Sequence, residues 1–323
     1  MNLVERAVKR VDRFQQQHAW LAFPVAVVKK FGDDQGGSLG ALIAYYGLLS
    51  LFPLLILLVS ILGLVLSGNP ELQQSIRDSA LANFPVVGTA IGRNVEAIRG
   101  NVVTLAVGIG GTLWAGLAVT QAAQNAMNRV WSIPRRDWPN FVVKRLRGVL
   151  MLAVLGTITL GSTFTSGVGS SPAAFGLLRI AAVALSLLLN LALFLLTYQV
   201  LTAATLRWRD VFPGAVVAAV LWTALQSLGS FIVSQRISRA GDVYGTFALV
   251  IALLIWIYLG AQVLLMCAEI NVVRNRRLWP RSLAPPPLTD GDEAAYRAMV
   301  HRVQMRPEQE VQVRFRGEER DPE

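Results

Sequence analysis

The feature that most constrains this chain is a long apolar stretch near its beginning. Residues 40–66 read GALIAYYGLLSLFPLLILLVSILGLVL and contain no charged side chain. About 20 apolar residues in a helix are enough to cross the ~30 Å hydrocarbon core of a bilayer. This stretch is longer, so its helix must tilt, bend or begin in the headgroup region. The chain is therefore predicted to be a membrane protein.

Pro53 lies near the middle of this stretch and lacks the N–H that an unbroken helix would use there. In lipid, the freed carbonyl has to be satisfied by neighbouring helices, hydroxyl groups or water. Tyr45, Tyr46 and Ser50 lie within two turns of the proline and could supply those hydroxyl groups. The alternative is a plain kinked span with aromatic residues at the membrane interface.

Composition supports the membrane class. Of the 323 residues, 54% are hydrophobic and 15% are charged, whereas a soluble domain carries about 25% charged residues. The net charge of +10 could indicate a nucleic-acid partner, but the positions of the cations follow the membrane topology, so no nucleic-acid partner is expected. The single cysteine, Cys267, excludes an internal disulfide.

Six apolar segments predict an all-α polytopic membrane protein with six transmembrane helices. The predicted spans are residues 40–66, 102–123, 148–168, 180–206, 211–234 and 243–268, within a transmembrane domain over residues 36–281. Residues 1–35 are predicted to form a cytoplasmic amphipathic segment on the membrane surface. Residues 282–323 follow a composition change and are predicted to be a partly disordered cytoplasmic tail, with a short helix over residues 292–303.

The distribution of Lys and Arg predicts the orientation. The N-terminal segment and the loops after the second, fourth and sixth spans together hold 18 Lys or Arg residues, and the opposite side holds six. Cytoplasmic loops carry the excess of Lys and Arg. Both termini are therefore predicted to face the cytoplasm, and the protein is expected in the bacterial inner membrane.

The residue types that carry enzyme chemistry are scarce. The two histidines, His18 and His301, lie in predicted surface or tail segments, and the sequence has no metal-binding pattern or phosphate-binding loop. The predicted spans contain no Asp, Glu, Lys, Arg or His, which are the residues of a proton relay. We predict no catalytic residue, no metal site and no cofactor, and we expect that the protein is not an enzyme.

Amides and tyrosines are the main polar groups in the spans. Buried amides need hydrogen-bond partners, so they either join helices, at about 0.6 kcal/mol per bond, or line a polar cavity for an amphipathic solute. Joining helices is the favoured role for any single amide. Lining a cavity is favoured where amides cluster, and four of them, at positions 121, 124, 125 and 128, lie at i, i+3, i+4 and i+7 on one helix face. The candidate cavity or substrate-path residues are Tyr45, Tyr46, Pro53, Gln121, Gln124, Asn125, Asn128 and Gln262.

Glu269 is the most informative charge, because it falls at the C-terminal end of the sixth span, where the helix dipole disfavours a carboxylate. A compensating cation is expected, unless Glu269 is simply a solvated interface residue. The predicted inner-face charge cluster contains Arg129, Arg145, Arg147 and Glu269.

Five sequence segments resemble the YihY/virulence factor BrkB family of multi-pass bacterial membrane proteins, formerly mislabelled ribonuclease BN. They are AYYGLLSLFPLL at 44–55, AMNRVW at 126–131, PGA at 213–215, YG at 244–245 and LLIWIYLGAQVLLMCAEIN at 253–271. The resemblance implies a role in cell-envelope integrity and the movement or export of lipid-like molecules. It brings no catalytic or binding residue to this chain.

These observations predict a transporter-like or flippase-like protein for an amphipathic, lipid-like envelope molecule. The alternative is a membrane scaffold that binds another envelope protein and transports nothing. Membrane lipids are the expected partners, with an envelope protein or a second copy of the chain as further expected partners.

Overall fold

The computed structural model of the chain describes residues 3–65, 102–169, 176–240 and 245–315. In these ranges the regular elements are all helical, so the predicted all-α class is confirmed. A turn of 3-10 helix, Arg135–Asp137, lies between the fourth and fifth helices. The α-helices are α1 (Leu3–Gln17), α2 (Ala19–Asp33), α3 (Gly36–Val65), α4 (Val102–Val130), α5 (Phe141–Gly169), α6 (Gly176–Leu201), α7 (Trp208–Ala240), α8 (Gly245–Asn275) and α9 (Asp290–His301).

Five of the described helices contain a segment that is long and apolar enough to cross a membrane. The segments are Gly36–Leu54, Ala106–Val130, Ala184–Leu201, Trp208–Gln226 and Val250–Asn275. Helix α5 covers the third predicted span but is not among them, so six crossings remain a prediction. The connection between the first and second predicted spans, residues 69–100, is predicted to lie on the outer side of the membrane and is called the predicted outer segment. It lies outside the described residues.

The long helices extend beyond the apolar segments that predicted them. Helix α4 continues to Val130 rather than ending at residue 123, and α8 continues to Asn275 rather than ending at residue 268. The amide stripe and Glu269 therefore lie inside helices and not in loops. Large apolar side chains are exposed on these helices, among them Trp114, Leu188 and Ile255, as expected for surfaces that face lipid tails.

Alanine is the most frequent residue in the buried core, and such small side chains allow helix backbones to approach closely. Helix α3 packs against α4 and α8, and α8 packs against α7. The core is concentrated where α4, α6, α7 and α8 converge near the 3-10 turn. Its residues include Ala122, Ala123, Ala126, Met127, Tyr198, Ala215, Ala218, Ala219, Ala261, Leu265 and Ala268.

Gly214 marks a close approach of α7 to α8. Its backbone N–H donates a hydrogen bond to Asn271 Oδ1 at 2.7 Å. A Cβ atom at this position would lie 2.1 Å from the backbone carbonyl oxygen of Cys267, so only glycine fits without moving a helix. The PGA and CAEIN segments singled out by the sequence therefore meet at this contact.

Helices α1 and α2 precede the bundle, and α2 packs against α8. Ala22, Ala26 and Val27 of α2 are buried, and so is Lys30. The sequence predicted a segment on the membrane surface over residues 1–35. The structure seats the second half of that segment against the end of the helix bundle, because its small residues fit against α8.

The described part of the tail also packs on the rest of the molecule. Helix α9 begins with a capping box. The Thr289 side chain accepts a hydrogen bond from the Asp292 backbone N–H, and the Asp292 side chain accepts one from the Thr289 backbone N–H. The sequence predicted a helix at nearly the same place, residues 292–303. It did not predict the contacts that the tail makes with α1 and α2, such as the hydrogen bond from the Leu283 N–H to Asp12 Oδ1 at 2.8 Å.

Long-range contacts bring α2, the end of α4, the start of α5, the residues after α6 and the end of α8 to one face of the bundle. This surface is here called the basic face. Lys30 of α2 contacts the carbonyl of Val130 at the end of α4 and the carboxylate of Glu269 near the end of α8. Arg147 of α5 donates to the carbonyl of Thr202 after α6. The excess of Lys and Arg predicts that the basic face lies on the cytoplasmic side of the membrane. This orientation remains a prediction.

Cysteine labelling tests the orientation. With the basic face in the cytoplasm, cysteines at Asp137 and Glu308, both exposed, should stay unlabelled by an impermeant maleimide in intact cells and should label after permeabilisation. A cysteine at Ser79, in the predicted outer segment, should label in intact cells. Ser132 and Ser282 of the basic face are buried and would be silent in either orientation. Labelling of the cysteines at Asp137 and Glu308 in intact cells would show that the basic face lies outside the cytoplasm, the reverse of the predicted topology.

Candidate functional site

The amide stripe predicted from the sequence lies on α4, close to the basic face. Gln124 and Asn128 are almost completely buried, whereas Gln121 and Asn125 are half-buried. The stripe therefore divides into two pairs with different surroundings.

The two buried amides connect α4 to its neighbours. Gln124 Nε2 donates a hydrogen bond to the backbone carbonyl of Lys144 in α5 at 3.1 Å. Asn128 Oδ1 accepts one from the backbone N–H of Ala203, after α6, at 2.8 Å. This is the helix-joining role that the sequence left open for each of them.

Asn125 instead lines a cleft of about 730 Å³ on the basic face, here called the cationic cleft. Its volume is in the range of small-molecule sites, about 300–1,000 Å³. Residues from α3, α4, the 3-10 turn, the start of α5 and the tail contribute to it. The lining consists of Leu39, Asn125, Arg129, Arg135, Trp138, Lys144, Arg302, Val303 and Met305.

The tail is an integral wall of this cleft. The backbone N–H of Arg135 donates to the carbonyl of Arg302 at 3.3 Å, and that of Arg136 donates to the carbonyl of Gln304 at 3.1 Å. These bonds hold the segment after α9 alongside the loop between α4 and α5.

Trp138 organises two of the cations. The Arg135 guanidinium lies 4.9 Å and the Lys144 ammonium 4.7 Å from the centre of its ring, distances at which a cation is attracted to an indole. The indole N–H donates to the Ile133 carbonyl at 3.2 Å, which fixes the ring. Burial lowers the pKa of Lys144, which precedes the predicted span, and the nearby charge of Arg135 lowers it further.

The other candidate cavity residues are not brought to this cleft. Tyr45 is exposed and its ring lies edge-to-face with that of Tyr46, with centroids 5.3 Å apart. A Cβ on Gly111 of α4 would lie 3.1 Å from Pro53, so the proline packs against a glycine. Gln262 of α8 lies near the carbonyl of Gly37 in α3, with a donor–acceptor distance of 3.5 Å. A role for these residues in a solute path stays a prediction.

Glu269 is paired with Lys30, a cation that the sequence pattern did not indicate. Lys30 Nζ lies 3.2 Å from Glu269 Oε2, contacts the carboxylate of Asp34 and donates to the Val130 carbonyl at 2.9 Å. All three ionisable side chains are fully buried. Buried ions of this kind persist only with close partners, so Lys30 is the contact that makes the two carboxylates tolerable.

This buried group also positions the arginines of the cleft. Asp34 contacts Arg302 through its second carboxylate oxygen, and Arg302 Nη1 donates to the Arg129 carbonyl at 3.3 Å. Arg129 Nη2 donates to Gln35 Oε1 at 3.0 Å. The turn between α2 and α3 thereby holds one arginine from α4 and one from the tail.

The predicted inner-face charge cluster is distributed over separate places. Arg129 lines the cationic cleft, and Glu269 lies with Lys30. Arg145 stacks over the ring of Phe141 at 5.0 Å, and Arg147 bonds the Thr202 carbonyl. The compensating cation for Glu269 is therefore Lys30 and not an arginine of the loop after the second span.

Replacement of Lys30 tests the buried ionic group. Lys30→Met should lower the free energy of unfolding by about 3–5 kcal/mol, because it leaves the buried Glu269 without a cation and Asp34 with Arg302 alone. Adding Glu269→Gln to Lys30→Met should restore part of that loss, since one uncompensated charge is removed. The measurement is thermal unfolding in detergent, with Lys144→Met as the control that removes a cation without a carboxylate partner. Equal effects of Lys30→Met and Lys144→Met would contradict the assigned role.

A second buried ionic group attaches the tail to α2. Asp292 of α9 contacts Lys29 Nζ at 2.9 Å and Arg281 Nε at 2.6 Å, and Arg281 Nη2 contacts Asp33 at 2.8 Å. The backbone N–H of Ser282 also donates to Asp292, at 2.9 Å. Burial would raise the pKa of Asp292, but the bonds from Lys29, Arg281 and Ser282 outweigh it and hold that pKa well below its ordinary value of 3.8.

Asp292 should therefore give the tail an acid-sensitive attachment. Because its pKa is lowered in the folded protein, its stabilising contribution is present at neutral pH and is lost as the pH falls below about 3.8. Asp292→Asn should lower the unfolding temperature at pH 7, and its difference from the unmodified protein should shrink below pH 4. Glu293→Gln, on the same helix and half-exposed, is the control. A difference that does not depend on pH would exclude this linkage.

The bundle and cleft together define a polytopic α-helical membrane protein with a cation-lined cleft at one end of its helices. A sequence model of the family described as Virulence factor BrkB matches residues 27–289, and the chain belongs to that family. The resemblance inferred from five sequence segments is thus confirmed. No solved structure matches this chain.

Its relatives are bacterial proteins with membrane or ribonuclease-like names. The chain is 25% identical over 270 residues to the putative ribonuclease-like protein YfkH of Bacillus subtilis, covering 80% of this chain and 96% of the relative. It is 24% identical over 287 residues to the inner membrane protein YhjD of Escherichia coli, covering 82% and 84%. It is 26% identical over 268 residues to a UPF0761 membrane protein of Azotobacter vinelandii, covering 80% and 64%. This protein is a multi-pass protein of the inner membrane.

Sequence reasoning identified Asn125 and Arg129 of the cleft but missed most of its other residues. Arg135, Trp138 and Lys144 lie in the loop between the second and third predicted spans, which holds six Lys or Arg residues. The basic charge of this loop was visible in the sequence, but the arrangement of its side chains was not. Nothing in the sequence around Arg302 indicated that it lines the cleft, since it lies in a mixed-charge tail far from the predicted spans.

Proposed function

We propose that this protein binds an anionic, lipid-like envelope molecule by its headgroup and moves that molecule between the leaflets of the inner membrane. The observation that carries the proposal is the charge of the cationic cleft. Among the residues that the structure describes, no carboxylate forms an ion pair with Arg129, Arg135 or Lys144. A cleft in which three of the four cations lack a carboxylate partner among the described residues attracts anions.

The surroundings of the cleft support an amphipathic ligand. Lys144 is half-buried in the cleft, while its neighbours Phe141, Val142 and Leu146 on α5 are exposed. An anionic headgroup in the cleft would therefore leave its apolar chains beside apolar side chains at the edge of the bundle. Leu39 adds an apolar contact inside the cleft.

Movement of the bound molecule rests on the family resemblance, which implies movement or export of lipid-like molecules. The helix-joining bonds of Gln124 and Asn128 would keep α4 attached to α5 and α6 while the ligand occupies the adjacent cleft. The relatives' ribonuclease-like name contributes nothing to the proposal, and the absence of enzyme activity stays a prediction.

Lipid movement in proteoliposomes tests the proposal. The purified protein should accelerate exchange of a fluorescent anionic lipid between leaflets, measured by loss of fluorescence after a membrane-impermeant reductant is added. Asn125→Leu should abolish most of the acceleration without loss of folding, because Asn125 lines the cleft. Gln124→Leu is the matched neighbour on the same helix. It should retain the activity and lose about 0.6–2 kcal/mol of stability in detergent.

Two results would contradict the proposal. A protein that binds the anionic lipid but does not accelerate its exchange would be a scaffold and not a transporter. An Asn125→Leu variant that is stable, inserted and fully active would remove the cleft from the path.

A further inference from the structure

The number of uncompensated charges in the cationic cleft restricts the anion that it accepts. Four cations line the cleft, and one of them, Arg302, is neutralised by Asp34. The other three, Arg129, Arg135 and Lys144, have no carboxylate partner in the described part of the chain. A singly charged group would leave two of these charges unbalanced.

Each of these cations has a contact that orients it in the absence of a ligand. Arg129 is held by the Gln35 side chain, and Arg135 and Lys144 share the Trp138 ring. The charge of Arg135 lowers the pKa of Lys144, after the larger effect of burial, so the two cations repel each other. An anion with several acceptor oxygens would relieve that repulsion without requiring the side chains to rearrange.

We infer that the cationic cleft recognises a terminal phosphate monoester. Such a group carries about −1.5 to −2 charges at pH 7 and presents three acceptor oxygens, which suits three cations that approach from α4, the 3-10 turn and α5. A phosphodiester has one charge and two free oxygens, and a carboxylate has one charge and two oxygens. The inference deepens the proposed function, on which it rests, by naming the headgroup chemistry.

The volume of about 730 Å³ exceeds the space that a phosphate group alone requires. The half-buried Asn125 amide and the half-buried indole of Trp138 are available beside the cations for a polar group that carries the phosphate. The same phosphate chemistry occurs in a membrane lipid and in a soluble phosphate, so both sources have to be tested.

The experiment measures binding of the full-length protein in nanodiscs. The lipid arm compares phosphatidic acid, a monoester, with phosphatidylglycerol, a diester, each diluted in phosphatidylcholine. The soluble arm adds inorganic phosphate or glycerol 3-phosphate as a competitor. Phosphatidic acid should bind at least about tenfold more tightly than phosphatidylglycerol at pH 7.5, because it offers the second charge and the third oxygen.

Variants and pH separate recognition from general charge attraction. Arg135→Gln with Lys144→Gln should remove the preference for the monoester, whereas Arg136→Gln, which removes a cation outside the cleft lining, should keep it. Lowering the pH from 7.5 to 5 should weaken monoester binding, since its second pKa is about 6, and should leave diester binding unchanged. Competition by inorganic phosphate would assign recognition to the phosphate alone. Absence of competition, with the preference retained, would assign it to the lipid form.

Equal binding of the two lipids, or a preference that survives the double substitution, would overturn the inference. Failure of the inference and failure of the proposed function give different results. Monoester preference without leaflet exchange would contradict transport and leave the recognition intact. Exchange of both lipids at the same rate, with equal binding, would leave transport intact and exclude the phosphate monoester as the recognised group.

Discussion

The contact on which the rest of the basic face depends is the ammonium group of Lys30 between two buried carboxylates. It lies against Asp34 of its own helix and Glu269 of α8, and it also caps the carbonyl of Val130 at the end of α4. Each carboxylate would be costly to bury without a cation. Asp34 is paired with both Lys30 and Arg302, whereas Glu269 is paired with Lys30 alone among the described residues. One side chain thereby fixes α2, α4 and α8 relative to one another.

The same contact determines where the cleft forms. Asp34 uses its remaining oxygen on Arg302 of the tail, and the neighbouring Gln35 orients Arg129. The tail is held a second time through Asp292, which joins Arg281 and Lys29. The segment after α9 is therefore built into the cleft wall, and the site is completed by contacts between residues that are 94 and 268 positions apart in the chain.

The cleft differs from its surroundings in how its charges are satisfied. At Lys30, Arg281 and Asp292, opposite charges are matched and buried, which gives a fixed structure. In the cationic cleft, Arg135 and Lys144 lie against the Trp138 ring. These two cations and Arg129 line the same cleft and have no carboxylate ion-pair partner in the described residues. Matched buried charges are expected where they hold the fold together. Unmatched charges are expected at a site that is completed by a ligand.

The sequence by itself determined the membrane class and the helical fold, because long uncharged apolar segments have few alternatives in water or lipid. The family followed from the resemblance of five sequence segments to known members. The sequence also indicated that Glu269 needs a cation and that the loop after α4 is strongly basic. Only the tertiary structure decided that the cation is Lys30, that Gln124 and Asn128 join helices, and that Arg302 reaches the cleft. Those outcomes depend on contacts between distant segments, and hydropathy and spacing report only what neighbours along the chain share.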